Sequence, residues 1–401
     1  MINIPKIDNT KELEDVSRRI KKREIFLDKI QGSLIGGAVG DALGYAVEFE
    51  SLKRIQAKYG ERGIQKFQLQ NGLARISDDT QMTLFTANGI LCAETKYTLH
   101  GLASCDTNEF VYKAYLDWLK TQCGAARPKQ DSCTLEQFGI SWLLDVPELF
   151  VARAPGNTCL NALGSGIKGS IAKPINDSKG CGGIMRVAPL ALRYGDTPSA
   201  GLDTQGAELA AITHGHSLGY IPAAVFTHIV AAATYGTCLH SESFFDIVEE
   251  AMFECKKIFG DDKNWRYFEN IMNKAIEFAD PCNNTLDDFT NIKNIGEGWV
   301  AEETLAIAVY CCLRHADDFS AAIIASVNHD GDSDSTGAIT GNIMGALLGY
   351  DMIDDKWKRD LELHNEILEI AKDLCHGCQM HAYGAYRDKK WLKKYEEGKI
   401  G

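Results

Sequence analysis

The segment GSLIGGAVGDALG at residues 32–44 has a glycine at every fourth position, and the segment GAITGNIMGALLG at residues 337–349 repeats this spacing. Residues four apart lie on one face of an α-helix. A glycine inside a helix costs about 0.5–1 kcal/mol relative to alanine, so two glycine faces indicate that close approach is needed. We predict that the two segments are central helices whose backbones pack against each other.

The rest of the chain also has a helical pattern. Ala-rich runs with a spacing near 3.6 recur, for example at residues 223–234 and 304–313, whereas alternating strand patterns are few. The longest uncharged stretch, residues 217–241, is long enough to span a bilayer, but it contains Pro222 and His228 and is interpreted as a buried core helix. We predict an all-α fold and no membrane partner.

The domain organisation follows from where the charge lies. The segment KELEDVSRRIKKRE near the N-terminus is highly charged and precedes the first apolar helix. Further along, no stretch has the composition of a linker between two domains. We predict one large domain at residues 29–375, preceded by a charged arm at residues 1–28 and followed by a C-terminal extension at residues 376–401.

The composition of the chain bears on the kind of partner it binds and on the cellular compartment in which it works. The 401 residues include 42 Lys and Arg and 55 Asp and Glu, for a net charge of −13. An acidic surface repels phosphate backbones, so we exclude a nucleic-acid partner. The N-terminus lacks a signal-peptide pattern and the cysteines show no framework spacing, which predicts a cytoplasmic protein with free thiols. Cys375 and Cys378 form a lone CxxC motif, for which a zinc site is the less favoured interpretation.

Two clusters of carboxyl and hydroxyl groups precede helical segments. They are Ser77-Asp78-Asp79-Thr80 and Asp332-Ser333-Asp334-Ser335. Each cluster alone fits a helix N-cap equally well, with Asp78 as the expected cap of the first helix and Gln81 completing a capping box. If the clusters meet in a buried place, their four carboxylates repel one another and need cations. All-oxygen ligands suit Mg²⁺ or Mn²⁺ rather than zinc, and two cations bridged by carboxylates are the natural stoichiometry.

Three further features are candidates for the same site. Asp41 lies within a glycine face and is therefore expected to be buried near the centre, and Glu48 follows it by seven residues. The segment SKGCGGIMRVAP at residues 178–189 is a glycine-rich loop whose N–H groups suit a phosphate or pyrophosphate, although a tight turn explains it equally well. His214 precedes the long apolar helix, where one of two neighbouring histidines can face a site.

Six motifs in a fixed order resemble the ADP-ribosylglycohydrolase family. They cover about residues 30–350 and are, in chain order, GDALG with a following EF, SDDT, GNTCLNAL, GCGGIMRVAPLAL, THGHSLGY and GDSDS. The resemblance implies an all-α fold with a cleft that holds two Mg²⁺ or Mn²⁺ ions. It also implies hydrolysis of the glycosidic bond between ADP-ribose and a modified side chain.

The resemblance also assigns roles to matching residues. It implies six metal ligands, namely Ser77, Asp78, Asp79, Asp332, Asp334 and Ser335. Substrate contacts are implied for Asn157, for His214 and for the loop of Lys179, Gly180, Cys181, Gly182, Gly183, Ile184 and Met185. Asp79 and Glu48 are the candidates to accept a proton from the attacking water, and the residues do not rank the two.

The sequence leaves alternatives open for the linkage that is cleaved and for the protein partner. The GDALG and GCGGIMR segments are most similar to the bacterial branch that removes ADP-ribose from arginine, so an ADP-ribosylated protein modified on arginine is the predicted substrate. Serine-linked ADP-ribose and ADP-ribosylated small molecules remain open. The alternative function is that of an immunity protein that also binds and occludes an ADP-ribosyltransferase toxin through its N-terminal arm.

Overall fold

The architecture comes from a computed structural model. It describes residues 10–101, 106–123, 139–197, 199–236, 243–282 and 284–398, with side chains from residue 19 onward. Within those ranges the chain forms α-helices, short 3₁₀ turns and isolated β-bridges, and no β-strand. The predicted all-α fold is confirmed.

Seventeen α-helices lie in the described part of the chain. In chain order they are α1 (Thr10–Tyr45), α2 (Leu52–Tyr59), α3 (Asp78–His100), α4 (Thr107–Gln122), α5 (Asn157–Gly164), α6 (Ala188–Tyr194), α7 (Ala200–Ala211), α8 (Ser217–Tyr235), α9 (Phe244–Phe259), α10 (Trp265–Ala279), α11 (Asp288–Ile295), α12 (Ala301–Arg314), α13 (Phe319–Val327), α14 (Ser333–Leu348), α15 (Asp355–Lys358), α16 (His364–His376) and α17 (Lys389–Tyr395).

The centre of the molecule is the pair formed by α1 and α14, the helices that carry the two glycine faces. Glycine packs against glycine at three levels of the contact, because Gly32, Gly36 and Gly40 face the backbones of Gly345, Gly341 and Gly337. At every one of these positions a Cβ atom would overlap the backbone of the partner helix. The predicted close approach of two central helices is therefore present, and it explains why glycine is retained there.

The charged N-terminal segment continues directly into the first central helix. Helix α1 runs without interruption from Thr10 to Tyr45, so residues 10–28 are its first half, whereas residues 1–9 lie outside the described residues. Side chains 19–25 are exposed, and burial begins at Phe26, whose ring packs edge-on against Tyr235 at 4.7 Å. That the segment acts as an arm with a binding partner stays a prediction.

The longest uncharged stretch and the C-terminal segment both pack as helices against the rest of the protein. Helix α8 is the one described helix long and apolar enough to cross a membrane, and 89% of its most apolar window is buried inside the protein, as predicted for a core helix. Helix α17 packs on α3, where Trp391 Nε1 donates to Thr95 Oγ1 at 2.8 Å. Cys375 and Cys378 are free thiols, like the other described cysteines.

Candidate active site

Helices α3 and α14 begin at the same place in the core, and each begins with a carboxylate cluster. Ser77 is the N-cap of α3 and its hydroxyl accepts from the Asp79 N–H at 3.2 Å. Asp332 is the N-cap of α14 and its carboxylate accepts from the Ser335 N–H at 3.2 Å. Asp78, Asp79, Asp332 and Asp334 are all at least 95% buried. Both clusters therefore cap a helix and lie buried at the same place, although the cap of α3 is Ser77 and not the expected Asp78.

Asp41 holds the first cluster in place from the central helix α1. Its carboxylate is fully buried and accepts from the Ser77 N–H at 2.9 Å and from the Thr80 N–H at 3.1 Å. The Thr80 hydroxyl also donates to it. Asp41 therefore lies near the same centre, as its place in the glycine face predicted, but its hydrogen bonds are used to position the start of α3.

The carboxylates come close enough to share cations. Oxygen atoms of Glu48, Asp332 and Asp334 lie within 4.8 Å of one another. The carboxylate oxygens Glu48 Oε2 and Asp79 Oδ2 are buried without a hydrogen-bond partner. A buried carboxylate oxygen without a donor is costly, so these two atoms indicate that something positively charged belongs beside them.

The electrostatics of the cluster lead to the same conclusion. Burial, and after it repulsion from Asp334, raises the pKa of five carboxyl groups: Asp41, Glu48, Asp78, Asp79 and Asp332. Such a group of acids is stable in its charged form only with counter-ions. Divalent cations with a preference for oxygen ligands fit this donor set, and the side chains of Ser77 and Ser335 add hydroxyl oxygens at its edge.

A cavity of about 210 Å³ opens above the carboxylates. Twelve of the residues predicted for the site line it: Glu48, Asp78, Asp79, Asn157, Gly180, Cys181, Gly182, Met185, His214, Asp332, Asp334 and Ser335. The glycine-rich loop, the acidic clusters and His214 therefore meet at one site, although more than 250 residues separate Asp78 from Asp334 in the chain.

Four predicted residues do not line the cavity. Ser77 lies beneath it as the cap of α3, and Ile184 is fully buried below the loop. Gly183 packs under the loop, where a Cβ atom would lie 3.2 Å from Gly219 O and 3.4 Å from His214 Cβ. Lys179 pairs with the buried carboxylate of Glu302 and lines a neighbouring cavity. The predicted contact of these four with metal or substrate stays a prediction.

The glycine-rich loop is tied directly to the carboxylates and to the wall behind them. The Cys181 thiol donates to Asp332 Oδ2 at 2.7 Å. Gly182 leaves room for His214 and Cys159, since a Cβ atom there would lie 3.1 Å from His214 Cε1 and 2.9 Å from Cys159 Sγ. Burial and the nearby Arg186 charge lower the pKa of His214 to about 3, so this histidine is a neutral hydrogen-bonding group.

Arg186 places a buried positive charge under the loop. Its guanidinium is fully buried, donates to Thr213 Oγ1 at 2.6 Å and to Cys159 Sγ at 3.5 Å, and stacks on the Tyr115 ring at 4.2 Å. No ion pair involves it among the described residues. The motif GCGGIMR contains this arginine, but spacing alone gave no reason to single it out.

Five more residues line the cavity that the sequence did not predict: Ala154, Gly156, Thr158, Cys159 and Trp299. Four of them surround Asn157, and the Gly156 N–H donates to Asp78 Oδ2 at 3.3 Å. Trp299 comes from the segment between α11 and α12, outside every motif that was recognised. Its neighbours in sequence carry no pattern that would have predicted a place at the cavity.

Comparison with known proteins identifies the family. The family model described as ADP-ribosylglycohydrolase matches residues 22–383. The chain belongs to the ADP-ribosylglycohydrolase family. It is therefore a metal-dependent hydrolase of ADP-ribosylated substrates, as the resemblance implied, and the match extends beyond both ends of the domain predicted at residues 29–375.

Two of the relatives align with this ADP-ribosylglycohydrolase over most of its length, and a third over about half. ADP-ribosyl-[dinitrogen reductase] glycohydrolase of Rhodospirillum rubrum is 27% identical over 85% of this chain and 93% of its own. ADP-ribosylhydrolase ARH3 of Danio rerio is 23% identical over 89% of this chain and 92% of its own. The human ARH3 is 28% identical over 49% of this chain and 58% of its own.

A solved structure shares the fold. The ADP-ribosylglycohydrolase-related protein complex superposes with a TM-score of 0.53 and 23% sequence identity, over 88% of this chain and 99% of the other. At this identity the likeness supports the fold alone. The all-α architecture described above is thus the architecture of the family.

Proposed function

We propose that this ADP-ribosylglycohydrolase removes ADP-ribose from arginine side chains of modified proteins, with two Mg²⁺ or Mn²⁺ ions in its carboxylate cluster. The observation that carries the proposal is the meeting of Glu48, Asp332 and Asp334 with the first turn of α3 at the floor of one cavity. The reaction reverses mono-ADP-ribosylation.

The proposed metal ligands are those that the family resemblance implies. Asp78, Asp79, Asp332 and Asp334 would supply carboxylate oxygens, and Ser77 and Ser335 hydroxyl oxygens. Bound divalent cations supply fixed positive charge, which orients hydroxyl oxygens of a sugar and lowers the pKa of water. Both unpaired oxygens described above, on Glu48 and Asp79, belong to side chains that line the cavity.

Residues in the wall of the cavity would bind the parts of the substrate that the metal ions do not. The N–H groups of the loop around Gly180 and Gly182 suit the diphosphate of ADP-ribose, because successive backbone N–H groups form an anion site. His214, held neutral by burial and by Arg186, is placed to donate or accept a hydrogen bond from the substrate. These contacts fix the anomeric carbon over the carboxylates.

Proton transfer falls to one of two carboxylates. Cleavage at the anomeric carbon passes through an oxocarbenium-like state, in which water attacks while the leaving group departs. Asp79 and Glu48 each have an unpaired buried oxygen that can accept the proton of that water. Glu48 lies in the turn after α1 and Asp79 in the first turn of α3, so the two approach the sugar from different elements.

Arginine is favoured over serine by the charge of the site. The guanidinium attached to ADP-ribose is a cation, and its nitrogen takes the electron pair of the broken C–N bond. The proton that Asp79 or Glu48 accepts from the water is then returned to the departing guanidine, which leaves as the guanidinium of free arginine. Two exposed acids, Glu297 and Asp330, line the neighbouring cavity on the solvent side of the site. A negative potential there stabilises the cationic arginine both as bound substrate and as protonated product, whereas the neutral serine side chain gains nothing from it.

The test compares two linkages under two metal conditions. ADP-ribose release is measured from an arginine-modified protein and from a serine-modified peptide, each with Mg²⁺ and with EDTA. Magnesium-dependent release from the arginine substrate is expected. Release from the serine peptide alone would overturn the linkage, and release that persists in EDTA would overturn the role of the metal.

The compartment is part of the proposal. We expect the protein to work in the reducing cytoplasm, where its described cysteines stay free.

A further inference from the structure

Two aromatic side chains stack on each other at the solvent side of the catalytic cavity. The rings of Phe49 and Trp299 are 6.1 Å apart at an angle of 21°. Phe49 is 72% exposed and Trp299 is 40% exposed. Phe49 directly follows Glu48, and Trp299 lines both the catalytic cavity and a neighbouring cavity of about 540 Å³. Packing of the core does not account for two such exposed rings.

The backbone of Trp299 is anchored between the glycine-rich loop and the carboxylates. Trp299 O accepts from the Cys181 N–H at 3.3 Å, and the neighbouring Ala301 N–H donates to Lys179 O at 3.0 Å. On the other side, Glu297 O accepts from the Asp332 N–H at 2.8 Å. The segment is thus positioned as firmly as the catalytic residues, and its indole is left free to meet a ligand.

Charge around the two rings favours a cation. The neighbouring cavity is lined by the acids Glu297, Glu303 and Asp330 and by the lysines Lys179 and Lys293. Lys179 is neutralised by its ion pair with Glu302. Two of the acids are also engaged, because Glu303 accepts from the N–H groups of Glu297 and Gly298, and Asp330 accepts from the Leu52 N–H at 2.7 Å. The net charge of this lining is therefore negative, next to the exposed rings of Phe49 and Trp299.

We propose that Trp299 and Phe49 receive the guanidinium of the ADP-ribosylated arginine and thereby set the specificity of the enzyme for that linkage. The inference rests on the proposed arginine hydrolase function and names the residues that select the leaving group. A planar guanidinium stacks on indole and phenyl rings through cation–π attraction. An adjacent carboxylate can accept its N–H groups in bidentate form.

The position of the rings fits this role. The glycine-rich loop takes the diphosphate on one side of the carboxylates, and the leaving group must depart on a side open to solvent and to the rest of the modified protein. Trp299 is the residue shared between the catalytic cavity and the open neighbouring cavity. A side chain attached to a protein can reach the anomeric carbon past these rings.

The test separates the guanidinium from the ADP-ribose half of the substrate. We would measure kcat/KM for ADP-ribosylarginine and, by calorimetry, the Kd for free ADP-ribose, in the wild type and in Trp299→Leu, Trp299→Phe and Phe49→Leu. Phe253→Leu is the matched control, because Phe253 is 62% exposed on α9. Thermal unfolding of every variant confirms that it folds.

We expect kcat/KM for ADP-ribosylarginine to fall roughly tenfold in Trp299→Leu and less in Phe49→Leu. It should recover in Trp299→Phe, with the Kd for ADP-ribose within twofold of wild type throughout. A Kd for ADP-ribose that rises in parallel would mean that the indole binds the ADP-ribose half, and unchanged kcat/KM in both leucine variants would mean that neither ring contacts the substrate. Either result overturns the inference. No hydrolysis of ADP-ribosylarginine by the wild type would contradict the proposed function itself, and the inference with it.

Discussion

Gly40 and Gly337 pack backbone to backbone at the crossing of α1 and α14, where a Cβ atom on Gly337 would lie 2.5 Å from Gly40 O. The residue after Gly40 is Asp41, which orients the start of α3, and Gly337 lies one turn from Asp334. The close approach of two backbones therefore sets the spacing of the carboxylates that face each other across the site.

Gly337→Ala should separate the two central helices and destabilise the protein. Overpacking of this kind costs about 1–3 kcal/mol, and we expect the free energy of unfolding in urea to fall by about 2 kcal/mol or more. Gly164→Ala is the control, since Gly164 ends α5 with nothing within 4 Å of its Cβ position. Equal stability of the two variants would show that the helices do not need the glycine contact.

Asp332→Asn should stabilise the metal-free protein while removing its response to metal. In the absence of cations the buried acids repel one another, so loss of one charge relieves the cluster. We expect a higher Tm than wild type in EDTA and no further rise on addition of Mn²⁺, which should raise the Tm of the wild type. A lower Tm in EDTA would indicate that Asp332 acts mainly as a structural cap.

Arg186→Met should weaken the binding of ADP-ribose without unfolding the protein. The guanidinium lies under the loop proposed to hold the diphosphate, and methionine replaces it with an apolar side chain of similar volume. We expect the Kd for ADP-ribose, measured by calorimetry, to rise about tenfold. If the Kd is unchanged and only Tm falls, the buried charge serves the fold alone.

His228 and Asp203 should make the stability of the α7–α8 pair depend on pH. Burial lowers the pKa of His228, but the hydrogen bond and charge of Asp203, 3.1 Å away, outweigh it and raise the pKa above 6.5. The stabilisation is fully present below the unfolded value and is lost as pH rises through the folded value. The free energy of unfolding should therefore fall as the pH rises above 6.5, and more steeply in the wild type than in His228→Gln. Parallel profiles would show that this pair does not titrate there.

Removal of residues 1–25 should leave hydrolysis intact. Side chains 19–25 are exposed, the Arg23 carbonyl accepts a long hydrogen bond of 4.0 Å from the Cys375 thiol, and the first aromatic contact of the helix is that of Phe26 with Tyr235. We expect kcat/KM to stay within twofold of the full chain. If a partner such as an ADP-ribosyltransferase toxin binds the full chain but not the shortened one, the arm has the binding role that its charge predicts. Loss of hydrolysis would show instead that the segment supports the site.

Local sequence patterns predicted the helices and the carboxylate clusters of the site, but not that the two clusters lie together. Glycine spacing predicted that α1 and α14 touch, and the position of Asp41 in that face predicted its burial. Whether the cluster at Asp78 meets the cluster at Asp334 depended on how α3 packs against both helices. Such a contact between distant segments has no local signal, so before the fold was known only the family resemblance implied it.

Two further features that the sequence did not predict, the pairing of Lys179 and the continuation of α1 through the charged segment, have the same cause. Lys179 stands beside glycines in a loop suited to phosphate, yet its side chain pairs with Glu302, a buried carboxylate on α12 that is distant in sequence. The charged residues before Lys29 were separated from the core by composition, whereas the helix continues through them because nothing in the segment breaks it. Trp299 lies outside every motif, and only the folded chain shows that it reaches the cavity.

The central claim is that the carboxylates at the starts of α3 and α14 form one dinuclear metal centre. Titration of metal-stripped protein with Mn²⁺, followed by calorimetry and by electron paramagnetic resonance, tests it most directly. We predict two ions bound per chain with a spin-coupled signal, and loss of that signal in Asp78→Asn and in Asp334→Asn. Binding of no Mn²⁺, or of ions whose spectrum is unchanged by both substitutions, would contradict the account.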